Sequence, residues 1–200
     1  EKDMWIWDER SGQALSALRP RDRVRHAPLG RGVRPVWSTL RHAFPCWREY
    51  RRLLRQAYAQ EVSLRGRVGV AVTPTAKALD RIEGLLSDLG PVPLLVRFYH
   101  HESEGAWTQA SAMVQRWHEQ GHPVAAALIQ DRKAVLDPSS WRRFVEFVLP
   151  RVAPWVDTIE IGHAINRVKW GLWDFPEYAR LAAPLADWIR RYPGIVFTGP

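Results

Sequence analysis

The chain is poor in the residues that carry several common chemistries. It holds one cysteine, Cys46, among 200 residues. That count excludes an intrachain disulfide and a cysteine-based zinc cluster, and it reads as a small core residue in a reducing, cytoplasmic compartment. Long apolar runs are missing as well, so no membrane span is expected from a composition that is 46% hydrophobic and sufficient for one full core. No charged, apolar and small-residue succession marks a leader peptide. The sequence opens on Glu1-Lys2-Asp3 without an initiator Met and closes on Gly194 to Pro200, which reads as the start of another structural unit. It is therefore read as a piece of a longer protein. Neither His100 nor His101 has a second histidine at His-x-His or His-x-x-x-His spacing, so no metal is expected there, and no cofactor is expected either.

Acidic residues are scarce at one end only. Residues 1–67 hold 15 Lys/Arg against 7 Asp/Glu, and residues 68–200 hold 14 of each, so the net charge of +8 belongs to the leading segment. Its arginine runs, Arg19 to Arg25 and Arg48 to Arg55, could meet an anionic surface or a neighbouring domain, or form a solvated helix face. Nucleic acid is not the expected partner. Residues 1–66 form a basic, aromatic-rich extension in this reading. Met4 to Trp7 suits a short strand or aromatic anchor, and Trp47, Tyr50, Leu54, Ala57 and Tyr58 have helical spacing from Pro45 to Gln60.

From residue 67 strands and helices alternate about every 30 residues, the βαβ pattern of a parallel sheet. Strands are expected at 67–73, 92–99, 123–130, 158–162 and from Ile195. Helices are expected from an N-cap at Thr75 to Leu89, from Ala106 to Gln120, after Asp137-Pro138, and from Phe175 to Arg191. Thr73 to Lys77 lacks the glycines of a dinucleotide-binding turn. The expected fold class is therefore α/β, a partial (β/α)8 TIM barrel of about four βα units plus a fifth strand over residues 67–200.

Polar side chains gather where the strands end, which is where α/β folds bind ligands. His100, His101, Glu102 and Glu104 follow one strand, Gln130, Asp131 and Arg132 the next, and His163, Asn166, Arg167, Lys169 and Trp170 the last. Within 158–162, Ile159 and Ile161 share one face, whereas Glu160 shares the other with Thr158. A carboxylate on the inner face needs a cation or donors, and Arg97 could be the partner. His100 and His101, being adjacent, should point to opposite sides of the chain, and Asp131 could cap a turn.

Ile159-Glu-Ile-Gly-His-Ala-Ile-Asn166 resembles the fourth-strand motif of retaining glycoside hydrolases with a (β/α)8 barrel, which reads apolar-Glu-apolar-x-Asn-Glu-x-Asn. Val96-Arg-Phe-Tyr99 is similar to their second strand. The resemblance implies a carbohydrate-active domain in which an Asn-Glu pair supplies a sugar contact and the general acid/base, with a nucleophile from a seventh strand beyond residue 200 and the carboxylates about 5 Å apart. Here His163 replaces that Asn and Ala164 replaces the acid/base Glu. Three readings stand at this point. The first is a carbohydrate-active barrel using Glu160, Glu102 or Asp131 as a relocated carboxylate, with Arg97, His100, His163, Asn166 and Lys169 as ligand contacts and Trp170 or Trp173 against sugar rings. The second is a barrel that binds a saccharide without catalysis. The third is an interaction domain docking through its basic leading segment.

Overall fold

The computed structural model describes residues 5–8, 13–16, 29–59, 61, 63, 68–75, 77–165 and 167–199. They fall into two compact units, one drawn from Glu1–Ala17 and Gly66–Pro200, the other from Leu18–Arg65. The arginine run from Arg19 to Arg25 lies outside the described residues, as does Asn166.

The larger unit takes in a short antiparallel hairpin, β1 (Trp5–Asp8) and β2 (Gln13–Ser16), with Trp7 opposite Ala14. Of the expected Met4 to Trp7 stretch, Trp5 to Trp7 lie in β1, and Met4 lies outside the described residues. In the smaller unit, residues 29–59 form α1 (Leu29–Ala59). Helical spacing predicts this helix only from Pro45, because proline lacks the N–H that bonds the preceding turn. The helix instead begins 16 residues earlier and runs through Pro35 and Pro45. Cys46 lies on it and is exposed, not in a core.

Five parallel strands make the main sheet: β3 (Val70–Val72), β4 (Leu94–Tyr99), β5 (Val124–Ile129), β6 (Thr158–Ile161) and β7 (Val196–Thr198). They lie in chain order from β3 to β7 without a reversal. Between them run α2 (Leu79–Leu89), α3 (Glu104–Glu119), α4 (Arg132–Leu136) with α5 (Pro138–Val152), and α6 (Phe175–Ala182) with α7 (Leu185–Arg191). Parallel crossovers are right-handed, so winding in one direction places successive helices on the same face.

The core confirms that placement. Val96 and Phe98 of β4, Ala126 and Leu128 of β5, and Ile159 and Ile161 of β6 join one apolar cluster with Val114 and Trp117 of α3, Phe144 and Val148 of α5, Leu181 of α6 and Trp188 of α7. The alternate residues face the other way. Tyr99, Ala127 and Ile129 form a second cluster with Ala14 of the hairpin and Trp170, and Trp7, Leu95 and Ala164 pack against it.

Element ends follow local chemistry, with three departures from the sequence reading. Asp137 caps α5 by accepting from Ser139 N (3.1 Å) and Ser140 N (3.2 Å), with Pro138 in the first turn, as expected. Thr75, however, caps no helix: its carbonyl accepts from Ala78 N in a turn, and α2 begins at Leu79. The expected helix from Phe175 to Arg191 is two, because Pro184 has no N–H to continue α6 and instead occupies the cap of α7. The five-residue α4 was not foreseen.

Phe144 is the hub of the helix-side core, with ring centroids 4.7 Å from Trp107, 5.4 Å from Trp141 and 5.7 Å, edge-on, from His100. Its removal leaves a cavity bordered by three rings that cannot collapse inward. Phe144→Ala should lower unfolding free energy by about 3–5 kcal/mol, read from chemical denaturation.

Candidate functional site

The sheet register assembles the site's floor. Arg97 of β4 pairs with Ala127 of β5, Ala127 with Glu160 of β6, and Glu160 with Thr198 of β7, so these four residues form one row across the sheet. The row lies on the face away from the helices. Strands about 4.8 Å apart put the Arg97 and Glu160 backbones roughly 10 Å from each other, with only a methyl group between. Among the described residues no hydrogen bond or ion pair joins Arg97 to Glu160. Glu160 instead accepts from His163 Nδ1 at 3.2 Å, both side chains being about a quarter exposed.

One buried amide fixes the loop that carries His163. Gln130, at the end of β5, accepts from His163 N (2.7 Å) through Oε1 and donates from Nε2 to His163 O (2.8 Å) and Trp170 O (3.0 Å). One backbone donor and two backbone acceptors are satisfied by a single side chain, which only an amide in this orientation can do. Two backbone turns complete the loop. Ala164 has φ +44°, a left-handed conformation that costs a residue with a Cβ roughly 1–2 kcal/mol. Gly171 has φ +87°, and a Cβ there would meet Arg132 N at 2.6 Å, so glycine is required for the loop to approach the start of α4.

The same loop is anchored at its far end by a buried ion pair. Arg132 Nη1 donates to Glu177 Oε1 (2.9 Å) and Oε2 (2.8 Å) and to Gly171 O (2.9 Å), and its guanidinium lies 3.5 Å from the Trp173 ring centroid. Glu177 also accepts from Trp173 N at 2.8 Å. Trp173 is thereby held by the loop's own frame.

Around Glu160 and His163 the walls are aromatic. The Trp170 ring stands edge-on to His163 at 4.7 Å, and Lys169 Nζ lies 5.6 Å from the Trp170 centroid while donating to Gln13 Oε1 at 2.7 Å. From the hairpin, Trp7 packs 4.7 Å from Tyr99, 4.4 Å from His101 and 6.4 Å from Trp170. Trp170 is buried, so it walls the site and does not offer an open face. Burial, reinforced by the neighbouring His100 and opposed by the Asp131 charge, holds the His101 ring below the ordinary histidine range and so neutral at pH 7.

His100 and Asp131 lie elsewhere, in the buried layer on the helix side. His100 Nδ1 donates to Asp131 Oδ1 at 2.9 Å, and its Nε2 sits 2.9 Å from Ser140 Oγ. The two adjacent histidines do point to opposite sides. Asp131 caps α4 by accepting from Ala134 N at 2.7 Å. Burial pushes its carboxyl up, but the His100 hydrogen bond and charge, with the Ala134 N–H, outweigh burial and hold it below the usual carboxylate range. These two residues tie β4, β5 and α5 together and are turned away from the Glu160 row.

Glu102 lies apart again, in a cleft of about 290 Å³ between the ends of β3 and β4 and the start of α3, shared with Thr73, Thr75, Arg97 and Gln109. Burial, partly offset by a backbone hydrogen bond at Tyr99, raises its carboxyl above the ordinary value. Arg97 borders this cleft and also belongs to the Glu160 row, so it links the two. Among the described residues no group of three His, Cys, Asp or Glu is placed to hold a metal ion.

Of the residues that sequence reasoning named, the structure brings Glu160 and His163 into contact, sets Arg97 two strands away in the same row and Lys169 against Gln13 and Trp170, and turns His100 and Asp131 to the helix side. Gln130 was visible only as one of several polar residues at a strand end. Trp7 and Gln13 carried no signal that they would meet residues 90 to 160 positions away. Compared with protein-family models and with curated proteins, the chain matches none of them.

Two substitutions test the frame. Asp131→Ala removes a helix cap and strands a buried imidazole, and should destabilise by about 2–4 kcal/mol at pH 7. A depressed folded value stabilises above the ordinary Asp range, so the native protein should lose this contribution as pH falls from about 4 through the folded value, and the variant should decline less steeply. Gln130→Glu sets a carboxylate against the His163 and Trp170 carbonyls and should cost more than about 3 kcal/mol by thermal or chemical denaturation.

Proposed function

We propose that residues 67–200 are the amino-terminal half of a (β/α)8 barrel akin to retaining glycoside hydrolases, and that the face at the strand ends binds a saccharide. The winding supports the barrel: strands run in chain order from β3 to β7 with helices on one face, whereas a doubly wound sheet reverses direction at a switch point. The observation that carries the functional reading is the Glu160–His163 pair, held at the carboxyl end of β6 against the Trp170 ring. A partly exposed carboxylate beside an imidazole offers an acceptor and a donor to vicinal hydroxyls.

Binding, not turnover, is the activity these residues account for. Ala164 stands at the position of the family's proton donor, and a methyl group transfers no proton. In this reading Glu160 orients a sugar hydroxyl, Arg97 flanks it from two strands away, and His163 and Lys169 donate. Trp170 shapes the wall.

A saccharide array followed by titration of the retained ligand tests the proposal. Glu160→Gln keeps the side chain's size but removes its charge, and should weaken binding roughly tenfold or more, the worth of a hydrogen bond to a charged group. Lys169→Ala should weaken it less. An array that retains no saccharide, or an affinity unchanged by Glu160→Gln, would overturn the assignment.

A further inference from the structure

Helix α1 has a face that no described residue of its own unit covers and that its charge matches to one kind of partner. Every described side chain from Val36 to Ala59 is exposed. These include Trp37 at 71%, Phe44 at 73% and Tyr58 at 86%, with Leu40, Trp47, Tyr50 and Leu54 between them. Spacings of three and four residues place these seven on one stripe. Arg41, Arg48, Arg52 and Arg55 repeat at spacings of seven, four and three, which at about 100° per residue sets them roughly a quarter-turn from the stripe. Across the helix sequence there are seven arginines and a single acidic residue, Glu49. Glu49 is paired with Arg52 at 2.9 Å, and Arg51 lies 5.9 Å from the Trp47 ring, so Arg41, Arg48 and Arg55 are left to form a one-sided positive edge.

Two alternatives fit less well. A coiled coil between copies wants aliphatic residues on the seam and opposite charges beside it. This stripe is mainly aromatic, includes Arg51 at a seam position, and is flanked by charge of one sign, which two copies would bring into mutual repulsion. At 31 residues α1 has the length to cross a membrane but, with seven arginines, not the apolarity, and among the described residues no helix is long and apolar enough to cross. Aromatic residues beside arginines are what the boundary between lipid headgroups and acyl chains accommodates.

We propose that α1 is an interfacial helix that lies flat on an anionic lipid bilayer, its aromatic stripe in the headgroup boundary and its arginine edge against lipid phosphates. The inference is independent of saccharide binding. The prolines do not disfavour it, because backbone groups freed beside them remain at the hydrated surface.

The chain carries its own probe. Cys46 is its sole cysteine and is exposed on α1, so an environment-sensitive thiol dye reports the helix without mutagenesis. Titrated into vesicles of phosphatidylcholine mixed with phosphatidylglycerol, the labelled full chain should show a blue shift and co-float. Binding should be at least about tenfold tighter than to pure phosphatidylcholine and should weaken as salt is raised. Arg48→Gln with Arg55→Gln should reduce partitioning about 25-fold, near fivefold for each charge. Trp37→Ala with Phe44→Ala should abolish the blue shift, and both pairs are surface changes that leave the far-ultraviolet spectrum intact. The proposal fails if the chain does not co-float with mixed vesicles or binds neutral vesicles equally. It also fails if the chain instead self-associates through α1 or binds a polyanion such as heparin with no dependence on Trp37 and Phe44.

Discussion

Winding five parallel strands in one direction puts their helices on one face and leaves the opposite face to be satisfied by other means. On the helix side the requirement is ordinary: Val96, Phe98, Leu128, Ile159 and Ile161 meet Val114, Trp117, Phe144 and Trp188 in a dry layer. On the other side Leu95, Tyr99 and Ile129 lie beside the small Ala125 and Ala127, with the charged Arg97 and Glu160 among them. Charged side chains cannot be sealed in without partners. The hairpin β1–β2 therefore covers part of this face through Ala14 and Trp7, and Glu160 keeps access to water and to His163.

From that constraint follows the division of labour at the strand ends. Polar groups that turn toward the helices are largely paired with one another: His100 bonds Asp131 and Ser140, and Arg132 bonds Glu177 and the loop carbonyl of Gly171, although the buried Arg132 Nε has no hydrogen-bond partner among the described residues. Groups that turn the other way are held less completely: Glu160 and His163 pair with each other and stay about a quarter exposed. Gln130 mediates between the two sides, since its buried amide fixes the loop that presents His163 without reaching the open face itself.

Much of this was legible because strands impose a period of two. Alternation in Thr158-Ile-Glu-Ile161 gave the facing of Glu160, and adjacency gave the opposed directions of His100 and His101. Capping chemistry placed α5 to the residue, since Asp137-Pro138 satisfies orphan N–H groups and presets the first turn. What was not legible depends on distance in the chain. His100 and Asp131 are chemically suited to a ligand, and only their 2.9 Å contact shows that each already occupies the other. Trp7 and Gln13 belong to the site through the packing of a hairpin whose strand pattern says nothing of its destination. Proline misled in both directions: it ended α6 at Pro184 as its chemistry dictates, yet Pro35 and Pro45 sit inside α1.

The charge distribution separates the two proposed activities physically. Residues 68–200 hold equal numbers of acidic and basic side chains, so the binding proposed at Glu160 would work through contacts of about 3 Å that added salt barely touches. The arginines of α1 act over a Debye length, about 8–10 Å at ordinary ionic strength, and weaken steadily as salt screens them. A chain built for one anionic ligand at the sheet edge would gain by placing its excess charge there. This one confines that excess to the leading segment, with seven arginines on a single helix, and leaves the Glu160 row with one arginine and one carboxylate. The separation means that the two proposed partners, a neutral, hydroxyl-rich ligand and an anionic surface, would be recognised by different elements, through forces of different range.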